Sequence, residues 1–167
     1  MAKVIFLKES EEFQMFGEFH RMCKKFWIPS DCEEYWDELM DEAGKFSQKY
    51  HSVYARHLAL GLARAMKEIV DRNLERTVSW DDSRELAMFK EFYKLCKDYW
   101  IPEERNEYWK AVIDMTNKFS EKYASIPAKH LALEFALALE ELFHKQKKLL
   151  GAGQGLQNPG LKNRMII

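Results

Sequence analysis

The amino-acid sequence predicts an all-α fold, a six-helix bundle built from two tandem three-helix repeats with approximate two-fold symmetry. Two observations lead to this prediction. Residues 10–71 align with residues 83–144 at a constant offset of 73 without a gap, with 29 identities in 62 positions. In both copies the apolar residues recur at steps of three and four, which is the period of an amphipathic helix. The chain is therefore a tandem duplication of a helical unit.

The first helix of each copy is predicted from its apolar period and from the proline that follows it. It runs from about residue 11 to residue 27 in the first copy, and the second copy repeats it. Both helices end at an Ile-Pro pair, because Pro29 and Pro102 cannot continue a helix and disfavour helical geometry in the residue before them. The chain is expected to turn there.

Three of the next helix starts are predicted at serines, and the second helix of the second copy is predicted to start at Glu103 and Glu104, whose charges suit a helix N-terminus. Ser30 with Glu33 has the spacing of a capping box, and Ser52 and Ser125 stand where they could cap the third helices. The apolar face of the second helix is assigned to the core in both copies. Its residues are Tyr35, Trp36, Leu39, Met40, Phe46 and Tyr50, matched by Tyr108, Trp109, Val112, Ile113, Phe119 and Tyr123.

The third helices carry stripes of alanine at every fourth position, flanked by leucines. Small residues on one stripe let two helices approach closely, so these helices are predicted to lie at the centre of the fold. Leu137 replaces Arg64 of the first copy, which means that the last helix needs cover on an additional side, from the bundle or from a second chain. The stripes are Ala55, Ala59 and Ala63, and Ala128, Ala132 and Ala136.

The predicted organisation is a single helical domain over residues 1–150 and an irregular tail over residues 151–167. The first repeat covers about residues 10–71, a linker covers residues 72–82, and the second repeat covers about residues 83–144. Four of the seven glycines fall within residues 151–160, which favours departure from the helix. Whether the apolar end of this tail docks is left open.

Composition narrows the function classes. With 167 residues, 47% of them hydrophobic, and a formal net charge of −1, the chain can bury a core but lacks the basic excess typical of nucleic-acid-binding proteins. No apolar run approaches a membrane span or a signal peptide, so a cytoplasmic protein without a membrane partner is expected. Cys23, Cys32 and Cys96 are interpreted as reduced thiols.

His57 and His130 stand at matching positions of the third helices, where an approximate two-fold axis could bring them together. No Glu-x-x-His or His-x-x-x-His motif includes either histidine to complete a metal shell. The Glu-x-x-His spacing occurs once elsewhere, at Glu141 and His144 near the end of the last helix, whereas di-iron bundles use two such motifs. His57 and His130 are therefore interpreted as packed, hydrogen-bonded side chains, and no catalytic residue, metal site or cofactor is predicted. The alternative is a small metal-binding or catalytic helical bundle that uses both histidines.

The second helix of the first copy carries an acidic stripe opposite its apolar face. The equivalent stretch of the second copy has mixed charge, with Lys110 at the position of an aspartate. The duplication itself thus does not require the acids, and the stripe is a candidate surface for a basic protein partner. The alternative is an ordinary solvated helix face. The candidate residues are Glu34, Asp37, Glu38 and Asp41.

Trp80 is the fifth candidate, because it stands alone in the linker among polar residues. One interpretation makes it a lid over the core between the two copies. The other makes it an exposed anchor for a partner.

The repeated motifs resemble short uncharacterised helical proteins of prophages from gut Gram-positive bacteria, here in tandem duplication over residues 10–144. The motifs are Trp-Ile-Pro, Glu-Tyr-Trp, Lys-Phe-Ser-x-Lys-Tyr and Ala-x-His-Leu-Ala-Leu. The resemblance implies a mobile-element context, in which small non-enzymatic proteins often bind phage or host proteins and inhibit host defence.

The function expected from sequence is a non-enzymatic protein-interaction module that binds and inhibits a host protein through its acidic surface. A structural phage component is the remaining alternative, and a homodimer is left open.

Overall fold

The computed structural model describes residues 6–75, 80 and 83–156 of the chain. Within these residues the secondary structure consists of six α-helices and no strand, which confirms the predicted all-α bundle. In chain order the helices are α1 (Glu11–Phe26), α2 (Glu33–Tyr50), α3 (Val53–Asp71), α4 (Ser83–Asp98), α5 (Asn106–Tyr123) and α6 (Ile126–Leu156).

The two repeats are built by the same internal contacts. The Tyr35 hydroxyl donates to the Phe26 carbonyl at 2.7 Å, and Tyr108 donates to Tyr99 at the same distance in the second repeat. Each bond ties the second helix of a repeat to the end of its first. Since both bonds join positions that the sequence alignment equates, the duplication extends to the tertiary structure. Two-fold symmetry between the repeats stays a prediction.

The ends of the helices follow local chemistry in most places. Ser52 and Ser125 accept hydrogen bonds from the backbone N–H groups three residues ahead, as expected of helix caps. The capping box predicted at Ser30 is wrong, because α2 begins at Glu33 and Cys32 occupies the cap position without a side-chain bond. The Ser30 hydroxyl instead accepts from the Cys32 N–H within the corner.

Helices α3 and α6 form the centre of the bundle, as the alanine stripes predicted. Their contact is the most extensive between any two of the described helices, with α2 packed on α3 and α5 packed on α6. Helices α1 and α4 complete the core of their own repeats. Ala55, Ala59, Ala128 and Ala132 are all buried. We call this contact the α3–α6 seam.

Two residues assigned to the core are exposed instead. Met40 on α2 and Ile113 on α5 are equivalent positions of the two repeats, and their exposed fractions are 60% and 59%. Both lie about 100° around the helix from the buried centre of the face, which Leu39 and Val112 occupy. A side chain rotated by about 100° from the centre of the buried face lies at the edge of the contact with the neighbouring helix, where that helix does not cover it.

Helix α6 also departs from prediction, because it continues to Leu156 instead of ending near Gly151. A glycine costs only about 1 kcal/mol in a helix interior, so a long established helix can extend through isolated glycines. The question whether Met165–Ile167 dock, which the sequence left open, concerns residues outside the described part of the chain. None of the described helices combines the length and apolar character needed to cross a membrane.

Candidate interaction surfaces

The acidic face of α2, formed by Glu34, Asp37, Glu38 and Asp41, is exposed along its whole length. Two of its carboxylates are balanced locally. Lys25 of α1 binds Glu38 and Glu42, and these hydrogen bonds raise the pKa of the Lys25 ammonium above its ordinary value. Lys45 binds Asp41 at 2.6 Å. Glu34 and Asp37 make no ion pair with any described residue, so negative charge concentrates at the start of α2.

Met40 adds an apolar element beside this charge. It lies one turn after Asp37, on the side of α2 away from Lys25. Gly44 follows one turn later, and a Cβ added there would meet nothing within 4 Å, so the surface around Met40 is open. An exposed apolar side chain beside charged groups is the composition of a protein–protein contact with a polar rim. Sequence reasoning missed this part of the surface because it placed Met40 in the core.

Trp80 does not belong to this surface. Its exposed fraction is 4%, and its indole N–H donates to His20 Nε2 at 2.7 Å. The ring packs edge-on against Trp27 and Phe89, with centroids 4.5 and 5.6 Å away. Trp80 therefore closes the core between α1 and α4, which fits the interpretation as a lid. This corrects the alternative in which it is an exposed anchor.

His57 is held between two glutamates of α6. Its Nδ1 lies 2.7 Å from Glu134 and its Nε2 lies 2.9 Å from Glu141. Each contact joins a ring nitrogen of α3 to a carboxylate oxygen of α6. Glu141 also accepts hydrogen bonds from Arg56 and Lys145. The bond from Arg56 has the largest effect on its pKa, and with those from Lys145 and His57 it lowers the pKa of the Glu141 carboxyl to about 2. The cluster thus joins α3 to α6 by charge.

His130 of the second repeat makes the equivalent contact in the opposite direction, from α6 to a glutamate of α3. Its Nε2 binds Glu68, the counterpart of Glu141, and this bond lowers the Glu68 pKa. Its Nδ1 is buried and has no hydrogen-bond partner among the described residues. The reason is Gly61, which occupies the position of Glu134 in the first repeat. Each histidine therefore pairs with the other repeat, and the two do not converge on one site.

The described residues do not include a cluster of three or more histidine, cysteine, aspartate or glutamate side chains placed to hold a metal ion. Glu141 is committed to His57 and Arg56, while His144 is exposed beside Glu140. Cys23 and Cys96 are buried and form no disulfide, and burial raises the pKa of the Cys96 thiol. The contacts of His57 and His130 with glutamates of the other repeat link α3 to α6 and stabilise the α3–α6 seam.

A second exposed feature is a groove of about 380 Å³ between α5 and α6. Trp109 and Ile113 line it from α5, and Leu137 and Phe143 line it from α6. Trp109 and Phe143 meet edge-on with centroids 5.5 Å apart. We call this feature the α5–α6 groove.

The α5–α6 groove differs in chemistry from the same place in the first repeat. The positions of Leu137 and Phe143 are held there by Arg64 and Val70. The sequence signalled the difference, since Leu137 was expected to need cover. The bundle does not fully provide it, because Leu137 keeps an exposed fraction of 36% and Leu133 one of 49%.

Comparison with known proteins adds no family to this description. No protein-family model matches the chain, and neither a curated protein nor a solved structure matches it. The protein is therefore defined by its own structure, as an all-α bundle of two three-helix repeats with an acidic and an apolar surface.

Proposed function

We propose that this protein is a non-enzymatic interaction module of a mobile element, which binds and inhibits a basic host protein through the acidic face of α2. Glu34 and Asp37 carry the proposal, because they are exposed carboxylates that no described cation balances. Like charges one turn apart on a helix repel, and this repulsion opposes the favourable position of Glu34 in the first turn of α2. A basic partner would offset that repulsion and gain association rate and orientation from it.

The second repeat supports this proposal as an internal comparison. Lys110 and Ala111 stand where the first repeat has Asp37 and Glu38, yet α5 forms a helix of the same length, and Tyr108 ties it to the end of α4 as Tyr35 ties α2 to α1. The helical architecture therefore does not depend on the acids. Because the acids are concentrated in one repeat, we assign them a role other than stabilising the fold. Exposed carboxylates beside the exposed Met40 side chain suit the binding of a protein partner.

The mobile-element part of the proposal rests on the resemblance to prophage proteins. In that setting a small protein without catalytic machinery acts by occupying a surface of its target. We place this action in the cytoplasm, where defence proteins that act on nucleic acid carry basic surfaces. The acidic face would compete with nucleic acid for such a surface.

The proposal gives no catalytic role to His57 and His130, because each is engaged with glutamates across the seam. The rival function, a metal-binding or catalytic bundle, makes a distinct prediction. Elemental analysis of purified protein would then find stoichiometric iron, manganese or zinc. A structural phage component would instead form ordered assemblies on size-exclusion chromatography, and a homodimer would elute at twice the mass of the chain.

The test of the proposal is affinity capture from host extract with matched charge variants. Reversal of the acidic face to lysine at all four positions should abolish capture of the partner at low salt, while circular dichroism shows unchanged helix content. The control reverses Glu107 and Asp114, exposed acids of α5. The control should capture the partner normally, and capture by wild type should fall as salt rises. Normal capture by the reversed face would refute the assignment.

A further inference from the structure

The α5–α6 groove leaves apolar side chains facing solvent on the helix that leads to the end of the given sequence. Ile113 and Leu137 are both exposed in it. Glu140 and His144 border it, and their side chains are more than half exposed with 3.8 Å between Nε2 and Oε1. The groove is thus an apolar channel with an accessible carboxylate at its edge.

Residues 157–167, which lie outside the described part of the chain, have a composition that complements this channel. Met165, Ile166 and Ile167 are apolar, and Lys162 and Arg164 are cationic. The first set matches the exposed Ile113 and Leu137, and the second matches Glu140. We propose that residues 161–167 occupy the α5–α6 groove of their own chain.

The length of the intervening chain permits this contact. Sixteen residues separate Glu140 from the end of α6 at Leu156, a distance of roughly 24 Å along the helix. Arg164 is the eighth residue beyond Leu156, and eight residues can span up to roughly 28 Å, which is enough to bring Arg164 to the level of Glu140. In sequence, Pro159 and Gly160 precede the proposed segment, and a proline followed by a glycine is a common breaker of helical structure.

A tethered segment also needs little affinity of its own. A short linker holds it near the groove at an effective concentration in the millimolar range. A second copy or a foreign helix would have to reach the same concentration in solution. This favours the segment of the same chain over those occupants, and the contact is independent of the proposed acidic-face function.

Paramagnetic relaxation in the full-length chain tests the proposal. A spin label is placed at Asn163→Cys, with the exposed Cys32 replaced by serine and the buried Cys23 and Cys96 retained. The label should cause loss of the Ile113 and Leu137 methyl signals. The Met40 methyl, at the position equivalent to Ile113, should keep its signal. Chains that carry both labels are diluted into unlabelled protein, so that only contacts within one chain are seen.

Two further samples decide between occupants. When spin label and methyl label are on different chains, no loss is expected, and loss in that sample would overturn the proposal in favour of a second copy. Leu137→Arg introduces the residue that the first repeat has at this position, so it should fold normally and restore the Ile113 signal. Undiminished signals in the doubly labelled chain, or loss that persists in Leu137→Arg, would also overturn it.

Discussion

Gly61 on α3 and Glu134 on α6 occupy the same position in the two repeats and meet at the α3–α6 seam. A Cβ added at Gly61 would lie 3.5 Å from Cγ of Glu134 and 3.3 Å from a Leu131 methyl. Glu134 is 1% exposed and uses this room to reach His57 and Arg64. The duplicated positions have thus diverged into a large and a small residue that fit together, and the stability of the seam follows from this pairing.

Gly61→Glu should destabilise the protein by roughly 3 kcal/mol or more, because it places a second carboxylate against the buried Glu134. Gly61→Ala should stay within about 1 kcal/mol of wild type, since the gain in helix propensity offsets a contact that a leucine methyl can relieve. Urea unfolding measures both. Gly17→Glu is the control, because a Cβ there meets nothing within 4 Å. Equal effects at Gly17 and Gly61 would contradict the account.

His57→Ala should cost roughly 2–4 kcal/mol, because it leaves Glu134 buried with Arg64 as its remaining partner. Removal of both side chains in His57→Ala/Glu134→Ala should cost less than the sum of the single changes. The double-mutant cycle, measured by chemical unfolding, should give a coupling of roughly 0.5–3 kcal/mol. Lys67→Ala, which breaks an exposed pair with Asp71, should change stability by at most about 1 kcal/mol. Additive effects would show that the pair contributes nothing.

Acid should weaken the seam through Glu141. Its pKa of about 2 in the folded protein lies below the ordinary 4.5, because Arg56, Lys145 and His57 bind the charged form. A lowered carboxyl pKa stabilises the fold above the unfolded value, and that contribution is lost as pH falls from about 4.5 towards 2. The difference in unfolding free energy between wild type and Glu141→Gln should therefore shrink between pH 6 and pH 3. A difference independent of pH would exclude this role.

Ala59→Leu and Ala132→Leu should each destabilise by roughly 1–3 kcal/mol, because both alanines are buried in the seam and a larger side chain overpacks it. Thermal melting followed by circular dichroism measures the effect. Ala87→Leu is the matched control, since Ala87 is exposed on α4. Unchanged melting of both seam variants would mean that close approach of α3 and α6 is not required.

The internal repeat made most of the fold predictable. The offset of 73 located equivalent helices, the Ile-Pro pairs located the corners, and the alanine stripes identified the central helices. These signals are local or periodic, so a single sequence displays them. Met40 and Ile113 were misassigned because periodicity places a residue on a side of a helix but does not say how far the neighbouring helix extends over it.

The candidate surfaces were predictable only in part. The exposure of the acidic face followed from its position opposite the apolar residues of α2. The contacts of His57 with Glu134 and Glu141 did not, because they join residues 77 and 84 positions apart across a helix crossing. Trp80 was ambiguous for the same reason. Its burial depends on His20, Trp27 and Phe89, which only the packing of α1 beside α4 brings together.

The central claim, that the acidic face of α2 binds a basic partner, is tested most directly by isothermal titration of the captured partner into purified protein at two salt concentrations. The account predicts that wild type binds more weakly at the higher salt, and that reversal of Glu34, Asp37, Glu38 and Asp41 to lysine removes binding at both. The Glu107 and Asp114 reversal should bind like wild type. An affinity of the four-residue reversal equal to wild type at low salt would contradict the claim.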